Sequence, residues 1–100
     1  MLSTLIQYTG FEVKPRGRDY SYRVLAPQSQ PRDFTITITN RSFLERRIPY
    51  QDGAAIGYQK LQRELLQETP AQPLDRHFTV SDQELDHFRE VHRPARKSYR

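Results

Sequence analysis

Residues 34–39 do most to limit what this chain can fold into: Phe34, Ile36 and Ile38 alternate strictly with Thr35, Thr37 and Thr39. A period of two sends successive side chains to opposite faces of a strand, and β-branched residues on both faces favour the extended backbone. The Phe and Ile row turns toward a core. The Thr row then becomes the solvated face of an antiparallel sheet. Asn40 closes the strand.

A second strand pair lies upstream. Phe11 to Lys14 and Asp19 to Leu25 flank Pro15-Arg16-Gly17-Arg18, where Pro presets φ and Gly tolerates a positive φ, so the segment reads as a β-hairpin. In its second arm Tyr20, Tyr22 and Val24 alternate with Ser21 and Arg23. Pro27 and Pro31 bound a loop after Leu25. Residues 41–50 fit either a short helix begun at Asn40 or a further strand ending at Pro49.

Two helices follow. Asp52 offers an N-cap to a helix whose stripe is Ala54, Tyr58, Leu61 and Leu65 and which ends near Thr69, ahead of Pro70 and Pro73. His77 to Val80 reads as a last strand or an extended lead-in. Ser81-Asp82-Gln83-Glu84 is a capping box, and Val80 with Leu85 forms the matching hydrophobic staple. Leu85, Phe88 and either Val91 or His92 continue the stripe until Pro94 stops it. The expected fold is α+β, a small three- or four-stranded antiparallel sheet with two helices packed on one face.

Composition sets the scale. With 100 residues, 35% of them hydrophobic, the chain has room for one thin core, to which six Tyr and five Phe contribute large buried areas. Residues 1–92 are expected to form a single domain and 93–100 a disordered basic tail. The net charge of +4 comes from 16 Lys and Arg against 12 Asp and Glu, and its excess is Arg93, Arg96, Lys97 and Arg100. The basic pI therefore describes the tail and not a folded surface. Absence of Cys removes disulfides, thiolate nucleophiles and cysteine metal sites. The start of the chain lacks a signal-peptide pattern and no apolar run is long enough for a membrane span, so a cytoplasmic address and no membrane partner are expected.

Motifs for chemistry are sparse. His87 and His92 are five apart and do not share a helix face, which argues against a metal site. Four Gly in all make no phosphate cradle, and no nucleophile elbow is present. Asp82, Glu84, Asp86 and Glu90 suit the solvated start of a helix better than an acid/base pair. No catalytic, cofactor-binding or metal-ligating residue is assigned.

Lys14-Pro15-Arg16-Gly17-Arg18 resembles the Pro-Arg-Gly-Arg centre of the AT-hook, whose extended Arg-Gly-Arg lies in the minor groove of A·T-rich DNA. Asp19 stands where that motif continues with Pro, and the strand residues alongside favour a structural turn. The leading expectation is a binding or protein-interaction module without catalytic activity, with a protein as partner. Its candidate surface is Lys14, Arg16, Arg18, Tyr20, Tyr22 and Arg23. The alternative is a nucleic-acid-binding accessory protein that uses the hairpin from Lys14 to Arg18 and the tail for weak, nonspecific affinity. An enzyme of unassigned class comes third. The acidic segment 81–92, opposite in charge to the basic hairpin, suits self-association or a protein partner as readily as RNA.

Overall fold

The computed structural model describes residues 4–46 and 48–91, and the expected tail at 93–100 lies outside them. Pro15 and Arg16 alone reverse the chain between strand β1 (Leu5–Lys14) and strand β2 (Gly17–Leu25), so both arms of the hairpin are longer than the alternation marks. Gly17 does not supply a positive φ; within the hairpin strands that conformation is found at Gly10, at φ 139°. Position 17 needs glycine for another reason. A Cβ there would run into the carbonyl oxygen of Ile38 on the neighbouring strand.

Strand β3 (Arg32–Thr39) pairs antiparallel with β2 and carries the alternation as expected: Phe34, Ile36 and Ile38 are buried. The chain then turns directly into helix α1 (Asn40–Arg46), which settles the ambiguous segment as helical. Its cap is the residue before the expected one, since the Ser42 amide donates to Thr39 Oγ1 at 3.2 Å. Asn40 instead ties down the hairpin turn, its amide donating to the Arg16 carbonyl at 2.8 Å.

A 3-10 turn at Tyr50–Asp52 leads into helix α2 (Gly53–Gln67). Asp52 makes no side-chain cap and has helical backbone angles, contrary to its expected role. Of the expected stripe Leu61 is buried and Ala54 and Leu65 pack against the core, but the most buried positions differ. Gly53, Ile56, Gly57 and Leu61 face the sheet, whereas Tyr58 is exposed.

The sheet is mixed and not purely antiparallel, because strand β4 (His77–Thr79) pairs parallel with β3. A parallel neighbour requires a long crossover, which residues 40–76 supply through α1 and α2. Backbone bonds from Thr35 to the Arg76 carbonyl and from Val80 to the Thr37 carbonyl hold the short strand in place, at 2.8 and 3.0 Å. The order is β1-β2-β3-β4. Helix α3 (Asp82–Val91) follows, so the described residues contain three α-helices where two were expected. Its capping box is reciprocal, the Ser81 amide donating to Glu84 Oε1 and the Glu84 amide to Ser81 Oγ. Val80 and Leu85 are buried as its staple.

The core lies between the sheet and the helices. Tyr20, Tyr22, Val24, Phe34, Ile36 and Ile38 of the central strands meet Phe43, Ile56, Leu61, Leu85 and Phe88. Among the described residues the helices pack on that side alone, and the side chains of the opposite sheet face are mostly polar and exposed or half-buried. There Thr37 Oγ1 donates to Asp19 Oδ1 at 2.6 Å and lies 2.6 Å from His77 Nε2, linking β2, β3 and β4 in one row.

Candidate functional site

The hairpin residues singled out in the sequence do not gather into one surface. Tyr20 and Tyr22 are core residues, and neither ring is available for stacking on a ligand. Burial pushes both phenols up; at Tyr20 the neighbouring Arg18 guanidinium acts in the opposite direction without reversing the shift. Arg23 sits on the helix-free face, where Nε and Nη2 engage the Asp33 carboxylate at 2.9 and 3.4 Å. Lys14 pairs with Glu12 at 3.2 Å. Arg16 is exposed in the turn. Of these basic side chains Arg18 shares the helix-bearing face with Tyr20 and Tyr22, and it lies among rings: its guanidinium is 4.0 Å from the centroid of Tyr50 and 5.1 Å from that of Phe11.

Phe11 belongs to a surface created by the difference in length between sheet and helix. Register pairs place Ile6 opposite Val24, Tyr8 opposite Tyr22, Phe11 opposite Tyr20 and Val13 opposite Arg18, so all four β1 side chains share the core-facing side. Helix packing covers Ile6. Beyond it, Tyr8, Phe11 and Val13 remain 45, 51 and 64% exposed although they point toward the side on which the core is built. The rings nevertheless touch the core: Tyr8 is 5.5 Å from Tyr22 and Phe11 is 5.8 Å from Tyr20, centroid to centroid. Tyr50, also exposed, closes the patch at the foot of α2 and packs edge-on against Phe43 at 4.7 Å.

The strand bearing this patch is an edge. β1 is a 10-residue strand at the end of the sheet, and among the described residues nothing pairs with its outer side. Natural sheets commonly protect such edges with Pro, inward charges or very short strands. Here the opposite edge, β4, has only 3 residues, whereas β1 is long and presents aromatic side chains. A shift of register between Tyr8 and Gly10 divides β1 into two runs. That shift also leaves a sequence signal, since the apolar parity changes from even numbers (Ile6, Tyr8) to odd (Phe11, Val13) across Gly10.

Two other features are less open to a ligand. A cavity of about 660 Å³ lies where the hairpin turn meets the starts of α1 and α3. Its polar side chains are largely engaged: Ser42 donates to Asp82 at 3.2 Å, Asp82 also faces Arg46, and Arg41 is held by Glu45. In the Asp19, Thr37 and His77 row the carboxylate and the imidazole both contact the hydroxyl, whereas a nucleophilic triad needs the carboxylate to orient the imidazole. The row lies on an open sheet face and serves as a cross-strand tie.

The acidic segment is likewise answered from within the fold. Arg46 engages Asp82 and Asp86, while Lys60 and Arg63 converge on Glu84 at 2.8 and 2.9 Å. The charge asymmetry read from the sequence is therefore largely internal pairing. No helix among the described residues is long and apolar enough to cross a membrane. Compared with known proteins, the chain matches no family model, no curated protein and no solved structure.

Proposed function

We propose that this protein is a non-catalytic binding module that takes an extended segment of a partner protein onto the outer edge of β1. The observation that carries the reading is the coincidence of a long edge, unpaired among the described residues, with exposed Tyr8, Phe11 and Val13. Main-chain hydrogen bonds to the edge supply affinity in this mode, and side chains at alternate positions supply specificity. Rings already packed on the core are ordered before binding, which lowers the entropy lost on association.

Amide hydrogen exchange during titration with short synthetic β-forming peptides tests the proposal. Protection should rise in β1 and not in β4, and Phe11→Ala should weaken binding about tenfold or more, as loss of a central aromatic anchor does. Binding that is indifferent to Phe11→Ala and Tyr8→Ala would exclude this edge.

Nucleic-acid binding is the second reading. Its support is Arg16 and Arg18 at one end of the sheet beside the exposed Phe11 ring. It predicts affinity for single strands that falls steeply between about 50 and 200 mM salt.

A further inference from the structure

We infer that the segment accepted by β1 is acidic, and that one of its carboxylates docks on Arg18; this rests on the edge-binding reading above. Five other arginines meet acids, Arg23 with Asp33, Arg32 with Glu68, Arg41 with Glu45, Arg46 with Asp86 and Arg63 with Glu84, whereas Arg16, Arg76 and Arg89 share with Arg18 the lack of an ion pair among the described residues. Arg18 forms no ion pair among the described residues. What sets it apart is its neighbours, the rings of Phe11 and Tyr50 and the hydroxyl of Tyr20, with which its side chain hydrogen-bonds. Stacking occupies the faces of a guanidinium, and of its five in-plane N–H groups those not directed at Tyr20 are left to bind a planar acceptor, of which a carboxylate fits two at once. Arg18 is also half-buried, so an acid brought to it would act in a partly desolvated setting where the attraction is less screened.

The geometry allows the reach. An added strand would run about 4.8 Å outside β1. Arg18 starts one strand inside, on β2, but its head leans over Phe11 of β1. A Glu or Asp opposite Phe11 or Val13, directed to the helix-bearing side, would therefore approach the same place. A second copy of this chain does not provide that acid through β1, whose core-facing residues past Ile6 are Tyr8, Phe11 and Val13 and whose Glu12 is paired with Lys14 on the other face. The fit is to an extended peptide with apolar residues on one face and an acid among them.

The test uses the full chain and labelled decapeptides of alternating Val and Thr, in which one central Val is kept or replaced by Glu or by Lys. Fluorescence anisotropy should show the Glu peptide binding about tenfold more tightly than the Lys peptide. Arg18→Gln should abolish the difference, while Arg23→Gln, on the opposite face, should preserve it. Equal affinities for the three peptides would overturn the inference and leave edge binding intact. A Glu preference that survives Arg18→Gln would overturn it as well. Backbone N-methylation of the peptides separates the two claims, because unchanged affinity after methylation would refute strand addition itself. Absence of binding by any peptide up to about 1 mM would refute both, and tighter binding of a uridine decamer than of the Glu peptide would assign Arg18 to phosphate.

Discussion

The phenol of Tyr22 lies so close to Gly57 that a methyl group at position 57 would overlap its hydroxyl, and that hydroxyl donates to the Ala54 carbonyl at 2.6 Å. The arrangement repeats one helical turn earlier, where Tyr20 lies against Gly53. Two strand residues advance about 6.6 Å and four helical residues about 6 Å. Two glycines four apart therefore match two tyrosines two apart, and α2 settles onto β2 at both contacts.

Gly57→Ala should destabilise the protein by about 1–3 kcal/mol through overpacking, and Tyr22→Phe by about 1 kcal/mol through loss of a buried hydrogen bond. The double variant should lose less than the sum, because removing the hydroxyl makes room for the methyl group. Urea unfolding of the four proteins measures the coupling. Strict additivity would mean that the two positions do not meet.

Ser81→Ala should destabilise the protein by about 0.5–2 kcal/mol, as expected for an N-cap. The Glu84 amide loses its acceptor, while the staple of Val80 and Leu85 stays in place. Ser81→Asp should recover most of the loss, since a carboxylate also accepts at this position. A variant as unstable with Asp as with Ala would point to a role other than capping.

Acid should unfold the protein partly through Glu68 and Glu84. At Glu68 the Arg32 side chain is the leading influence and holds the carboxyl below its ordinary value. At Glu84 burial pushes upward, but hydrogen bonds from Lys60 and Ser81 outweigh it and the net direction is again down. A carboxyl with a lower pKa in the folded chain contributes stability that is complete above the unfolded value, roughly 4.3, and is lost as pH falls through the folded value. The urea midpoint should therefore hold from neutral pH to about 5 and decline below about 4.3. Glu68→Gln and Glu84→Gln should be less stable at neutral pH and decline less steeply. Parallel curves for variants and parent would assign the acid transition to other groups.

Gly10→Ala should destabilise the protein by about 1–3 kcal/mol, for a backbone reason alone. At φ 139° an L side chain is strained, yet a Cβ at this position would meet nothing within 4 Å. A D-alanine introduced there by chemical synthesis relieves that strain and should restore stability. Equal loss with both enantiomers would show that space and not handedness governs the site.

Local chemistry accounts for what was legible beforehand. The alternation at residues 34–39, the hairpin about Pro15 and the capping box at Ser81 each depend on neighbours within a few positions, and each appears in the structure. The α+β class follows from them. The features that depart from the local pattern involve partners far along the chain. Asp52 has the side chain of an N-cap, but the preceding 3-10 turn already gives it helical angles. Tyr58 has helical spacing, but glycine at 53 and 57 rotates the packed face toward Tyr20 and Tyr22.

Where chain segments bend, extend and coil can be read from the residues alone, because those preferences arise within a turn or a strand. Contacts between distant segments set the parallel pairing of β4 with β3, the burial of Tyr20 and Tyr22, and the exposure of Tyr8, Phe11 and Val13. All of these side chains are apolar or aromatic, so hydrophobicity does not separate them. Their burial depends on how far α2 extends across the sheet, and it covers β1 at Ile6 but leaves the rest of that edge open.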